Sequence, residues 1–150
     1  EPIYELRGQI RRSDQIAFYG ATNHRRGGWL ILDSIGGSEE ASIYIGREVR
    51  RLGIKTIVKS GDVCLSGCAM IWAAGKERWA EGKMNLGFHR PWHIEDGKFV
   101  DGNQGPARAY YRLLGFSPYA IDKLLWPANS FFWMNEYKAR MLKIDAHFKE

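Results

Sequence analysis

Between Trp29 and His89, short runs of aliphatic and β-branched residues alternate with helical segments, and turn residues mark each change. Trp29-Leu30-Ile31-Leu32 is a continuous apolar run with Gly27-Gly28 before it and Gly36-Gly37 after it, which reads as a buried strand. Asp33-Ser34-Ile35-Gly36-Gly37 turns the chain. Ser38 is a good N-cap, and Glu39 and Glu40 sit favourably in the first turn of a helix. Ala41, Ile45, Val49 and Leu52 follow at helical spacing, with Arg47, Arg50 and Arg51 on the other side and Gly53 as a stop. Lys55 to Lys59 is the next strand, rich in β-branched residues. A second helix opens near Ser66 and runs to a stop at Gly75, and Asn85 to His89 reads as another strand. This strand–helix alternation predicts an α/β layered fold.

Outside that stretch the pattern is looser. Ile3 to Ile10 alternates weakly and predicts a strand. Asp96 to Gly105 is polar and glycine-rich, and predicts an exposed excursion. Ala107–Leu114, Pro118–Leu125 and Asn135–Leu142 predict helices, and the polar tail predicts fraying.

The chain of 150 residues fits a single domain over residues 1–150, long enough to bury about 70% of its unfolded surface. No apolar run approaches the ~20 residues of a membrane span. The abrupt opening at Glu1-Pro2 leaves room for a leader or anchor removed upstream. Net charge is +5, with basic clusters at Arg11-Arg12, His24-Arg25-Arg26 and Arg47 to Lys55. No recognition motif accompanies them and the aromatics lie elsewhere, so they read as solvated faces, and no nucleic-acid partner is expected. Cys64 and Cys68 are the only cysteines, which excludes a Cys-rich zinc site. His89 and His93 have a metal-like spacing, but Pro91 between them would break the helix that spacing requires. Neither a metal nor a cofactor is expected.

Three elements could carry chemistry together. Gly36-Gly37 follows a buried strand, where glycine lets the backbone approach a ligand closely. Ser66 stands where a turn opens an apolar helix, and His89 ends the next strand. A serine hydroxyl needs a neighbouring base to take its proton, and histidine is the usual one. A developing oxyanion needs preorganised N–H donors. Gly37 and Gly67 are candidates, aided by the partial positive charge of a helix start. The same residues also read as an N-cap, a structural histidine and an ordinary turn.

From Leu30 to Pro91, however, the chain resembles the core of the Clp protease proteolytic subunit. It is more similar still to the small Clp-like proteins of bacterial periplasms. Ile31-Leu32-Asp33-Ser34-Ile35-Gly36-Gly37 resembles that family's strand ending in Asn-Ser-Pro-Gly-Gly. Cys64-Leu65-Ser66-Gly67-Cys68 falls at its nucleophile turn, which in the periplasmic relatives often reads Cys-x-Ser-Ala-Cys. Ala73-Ala74-Gly75, Arg78 and Gly87-Phe88-His89-Arg90-Pro91 resemble the downstream Ala-Gly, Arg and His-Gln-Pro pattern. Three departures stand out: Ile35 replaces a Pro, Gly67 replaces a Met, and the family's catalytic Asp has no clear counterpart.

The resemblance implies a Clp/crotonase-type superhelix of repeated ββα units, with its motif-bearing core at about residues 30–91 and a helical region at about 107–145. It implies a serine hydrolase, with a peptide or protein as substrate, Ser66 as nucleophile, His89 as base, and Gly37 and Gly67 as oxyanion-hole amides. Aligning the last helix puts the missing Asp near Ser130, with Asn129 beside it. Either side chain could accept a hydrogen bond from His89. Asp122, Asp101 and Asp96 are the other candidates. Cys64 and Cys68 are expected to be bonded, because their separation suits a disulfide and the periplasm is oxidising. A homo-oligomer smaller than the family's double ring is expected, a dimer or trimer, since a polar loop stands where Clp subunits carry a long helical handle. Any unfoldase partner would be a separate protein. Two other functions fit the fold: a binding or scaffolding module that has lost turnover, and a crotonase-type acyl-CoA enzyme.

Overall fold

The computed structural model describes all 150 residues. In chain order its elements begin with β1 (Ile3–Arg7), α1 (Asp14–Thr22), β2 (Trp29–Asp33), α2 (Glu39–Leu52), β3 (Lys55–Val58), β4 (Val63–Leu65) and α3 (Gly67–Ala73). There follow β5 (Arg78–Glu81), β6 (Asn85–Phe88), β7 (Trp92–Glu95), β8 (Lys98–Asp101) and α4 (Gly105–Leu113). The chain closes with α5 (Pro118–Leu124), β9 (Phe132–Trp133), α6 (Glu136–Leu142) and β10 (His147–Lys149).

A unit of two strands and a helix recurs along the chain. β3 enters one sheet, β4 a second, and α3 follows; β5 and β6 repeat the alternation before the β7–β8 hairpin and α4. One turn earlier, β2 takes the first strand position, Ser34 bridges in parallel to Cys64 in the second, and α2 closes the unit. Successive units therefore lay their strands side by side. The result is a parallel five-stranded sheet in the order β1-β2-β3-β5-β10, and a second sheet β4-β6-β9 whose last strand runs antiparallel. A continuous core of 33 buried residues fills the space between sheets and helices.

α2 shows why the sequence settles this way. The Ser38 hydroxyl accepts from the Ala41 amide, and Gly53 ends the helix at φ 65°. Ala41, Ile45, Val49 and Leu52 are buried as their spacing predicts, joined by Ser42 and Gly46. A side chain at Gly46 would collide with Tyr110, whose hydroxyl donates to the Met70 carbonyl at 2.6 Å. That contact ties α4 to α2 and α3. Arg78 locks the far side by donating to the Ala73 carbonyl at 2.7 Å and the Asp145 carbonyl at 2.9 Å.

Two loose segments are more ordered than their composition suggests. The stretch from Asp96 to Gly105 is largely exposed, as expected, but it is not without secondary structure. It holds the end of the β7–β8 hairpin, turned at Asp96 and Gly97 with both φ positive (49° and 74°), and the start of α4. The tail is not frayed either: His147–Lys149 pairs with Trp79–Glu81 as the edge strand of the large sheet. In the basic clusters three side chains make ion pairs, Arg12 with Glu40 at 2.8 Å, Arg51 with Glu48 at 2.8 Å and Lys55 with Glu1 at 3.2 Å.

Candidate active site

Ser66 sits between β4 and α3 at φ 57° and ψ −116°. A non-glycine residue there costs about 1–3 kcal/mol and persists only where its surroundings over-determine it. Here they do. The Ser66 amide donates to the Gly87 carbonyl at 2.9 Å, and its carbonyl accepts from Met70 at 3.1 Å as the first bond of α3. Cys64 and Cys68, both fully buried, form a disulfide across the turn.

The Gly36-Gly37 turn lies against this one. Gly36 has φ 94°, and a Cβ there would lie 2.7 Å from the Leu65 carbonyl oxygen and 3.0 Å from the Ser66 Cβ. Gly37 bridges in parallel to Ile10, and a side chain on it would strike the Ile10 backbone. Only glycine lets the two turns abut. The Gly37 amide donates to no backbone carbonyl. The Gly67 amide, first in α3, has no intrahelical acceptor. A Cβ on Gly67 would stand 3.7 Å from the Gly37 nitrogen, so the two amides are close neighbours.

His89 follows β6, and Gly37, Ser66, Gly67 and His89 all line one cavity of about 470 Å³. Its remaining walls are mainly apolar, with Met70, Trp92, Tyr111 and Phe131 among them. Burial pulls the His89 pKa below its ordinary value, by making the imidazolium costly; the Arg90 backbone nearby offsets this in part. The ring is therefore neutral at pH 7, as a general base must be. No hydrogen bond joins it to Ser66, and Nδ1 is buried without a partner.

The expected acceptor for that nitrogen is a correction. β6 and β9 pair antiparallel with Phe88 opposite Phe132, which carries Phe131, not Ser130, opposite His89. The Phe131 ring meets the imidazole edge-on, with centroids 4.9 Å apart. A one-residue slip in a strand exchanges the side chain that faces a neighbour for the one that faces away. Ser130 and Asn129 are accordingly exposed, and the Ser130 hydroxyl accepts from the Trp126 indole at 3.0 Å. The acidic candidates are engaged or remote: Asp122 pairs with Arg108 at 2.9 Å and Asp101 with Arg90 at 2.8 Å, while Asp96 is exposed at the hairpin turn.

Two cavity residues escaped the sequence reading. Phe131 belongs to an aromatic run whose register the sequence leaves open. Glu39 reads as a first-turn helix acid, yet it is half-buried and lines the cavity. No three His, Cys, Asp or Glu side chains converge on a metal position, and His93 pairs with Glu95 at 3.1 Å.

No family model matches the sequence, and no curated protein matches it. Solved structures do. The 1510-N membrane-bound stomatin-specific protease, as a serine-to-alanine mutant, superposes with a TM-score of 0.72 at 14% identity, covering 99% of this chain and 78% of that one. A lysine-to-alanine mutant of the same protease, in complex with a substrate peptide, gives 0.71 at 14% identity, over 99% and 74%. The ClpP protease catalytic domain from Plasmodium falciparum gives 0.69 at 17% identity, over 99% and 85%. The chain has the Clp/crotonase-type fold. The likeness in fold covers 99% of the chain, well beyond residues 30–91, and the repeated ββα units implied by the resemblance occupy its middle.

Proposed function

We propose that this Clp-fold protein is a serine hydrolase, of peptidase type, working through an acyl-enzyme on Ser66. The Ser66 hydroxyl attacks the substrate carbonyl carbon while its proton passes to Nε2 of His89. The resulting oxyanion accepts from the Gly37 and Gly67 amides. His89 then returns the proton to the leaving amine; in the second half it draws a proton from water, whose oxygen attacks the acyl carbon, and gives that proton to the Ser66 oxygen as the ester bond breaks. The observation that carries the reading is the convergence of four groups on one cavity: a conformationally held serine, a neutral histidine and two unbonded glycine amides. His89 works in it without a charged partner, so Ser66 and His89 form a dyad. A fluorophosphonate probe tests this: it should label the wild type at Ser66 and leave Ser66→Ala unlabelled.

The second reading, a binding module without turnover, is favoured by the orphaned Nδ1 of His89. It predicts no covalent labelling at all.

An oxidising, exported setting fits the disulfide, and alkylation of the denatured, unreduced protein should leave Cys64 and Cys68 unmodified until reductant is added. A small homo-oligomer fits the exposed Trp92, Ile94 and Phe99 on the β7–β8 hairpin. Light scattering should then give a dimer or trimer; a double heptameric ring would contradict it.

A further inference from the structure

Glu39 and Glu40 are neighbours at the start of α2 with opposite fates. Glu40 is exposed and pairs with Arg12 at 2.8 Å. Glu39 turns into the cavity that holds Ser66 and His89, makes no ion pair or hydrogen bond, and is half-buried. Burial alone shifts its carboxyl, upward from the ordinary value, with no cation close enough to counter it. Burial holds the Tyr111 phenol in the neutral form, with Tyr110 and the Glu39 charge adding to it. Glu39 makes no hydrogen bond to His89, whose buried Nδ1 has no partner. The carboxylate is therefore not a hidden third member of the Ser66–His89 pair. It is an anion without a side-chain partner in a largely apolar wall, and burying such a group is costly unless a partner arrives.

We propose that Glu39 is a specificity residue, and that this cavity takes a lysine or arginine side chain of the substrate, beside the bond that Ser66 attacks. The inference rests on the hydrolase reading of the site. About 470 Å³ accommodates such a side chain, whose aliphatic stem suits Met70 and Tyr111 while its charged end meets Glu39. A charge-assisted hydrogen bond of this kind corresponds to a preference of roughly 10- to 100-fold over an uncharged side chain of equal length.

The test uses two amino-blocked diphenyl phosphonate probes, one carrying a lysine side chain and one norleucine. In each, the Ser66 oxygen bonds to phosphorus, one phenoxide leaves, and the serine proton passes through His89 to that phenoxide. The wild type is expected to react at least tenfold faster with the lysine probe. In Glu39→Gln the ratio of the two rates should fall to about one, while in Glu40→Gln it should stay at the wild-type value. Labelling of wild type at Ser66 with equal rates would overturn the specificity and leave the hydrolase reading intact. An unchanged ratio in Glu39→Gln, or an equal fall in Glu40→Gln, would overturn it as well. No labelling by either probe would remove both.

Discussion

The two sides of the cavity are built to different standards. On the serine side, a disulfide, a ladder bond to Gly87 and the first bond of α3 hold Ser66 at positive φ, and two glycines bring a second turn into contact. On the histidine side, the ring rests against Phe131 with one nitrogen buried and unbonded. In the proposed chemistry the serine side offers an oxyanion two preorganised amides, while only the Arg90 backbone favours the imidazolium, against the cost of burial. In serine hydrolases with a full triad, an acceptor on the far nitrogen fixes the tautomer and steadies the imidazolium. A site of this form is expected to acylate slowly, with its catalytic power concentrated in electrostatic preorganisation around Ser66.

That contrast can be broken most sharply at the base. His89→Ala should slow fluorophosphonate labelling of Ser66 by about 10²- to 10⁴-fold, the usual worth of a positioned general base. A fall of less than about threefold would mean that the histidine side takes no part. The serine side should respond next. Replacing both Cys64 and Cys68 by Ser frees the turn, and labelling should slow by about tenfold, since small displacements of a reacting group are costly. Global stability should fall by less than the ~3 kcal/mol expected for a 15-residue loop, because the loop closed here is far shorter. Thermal unfolding followed beside labelling separates the two effects.

Phe131→Asp sharpens the comparison by supplying what the histidine side lacks. In the wild type, burial lowers the His89 pKa, so the labelling rate should rise with pH along an acid limb lying below the unperturbed ~6.5. A carboxylate opposite His89 favours the imidazolium, so that limb should move to higher pH, and the plateau rate should rise by a few-fold. A limb that stays in place would show that residue 131 does not face the ring in solution.

The same contrast explains how much of the molecule the sequence discloses. β2 is legible as a continuous apolar run, α2 by its apolar residues at helical spacing, and β3 by its β-branched residues. α1 is not, because it buries only Phe18 and Thr22, and β5 is not, because Arg78-Trp79-Ala80-Glu81 carries no apolar run and is fixed by its neighbours β3 and β10. The β7–β8 hairpin did leave a signal: Asp96-Gly97 between alternating residues is a strong two-residue turn. The serine side of the site is local, since Ser66, Gly67 and both cysteines lie within five residues, and so a motif captures it. The histidine side depends on the register of β9 against β6 across more than forty residues of chain. A two-residue strand in an aromatic run does not fix that register by its own pattern, which is how Ser130 came to be expected where Phe131 stands.

The proposed chemistry stands or falls on acylation of Ser66. Intact-mass measurement of the protein quenched seconds after mixing with p-nitrophenyl acetate tests it most directly, with peptide mapping to place the adduct. One acetyl group is expected, on Ser66, absent in Ser66→Ala and much reduced in His89→Ala. An adduct that persists in Ser66→Ala, or a wild-type protein that gains no acetyl group, would contradict it.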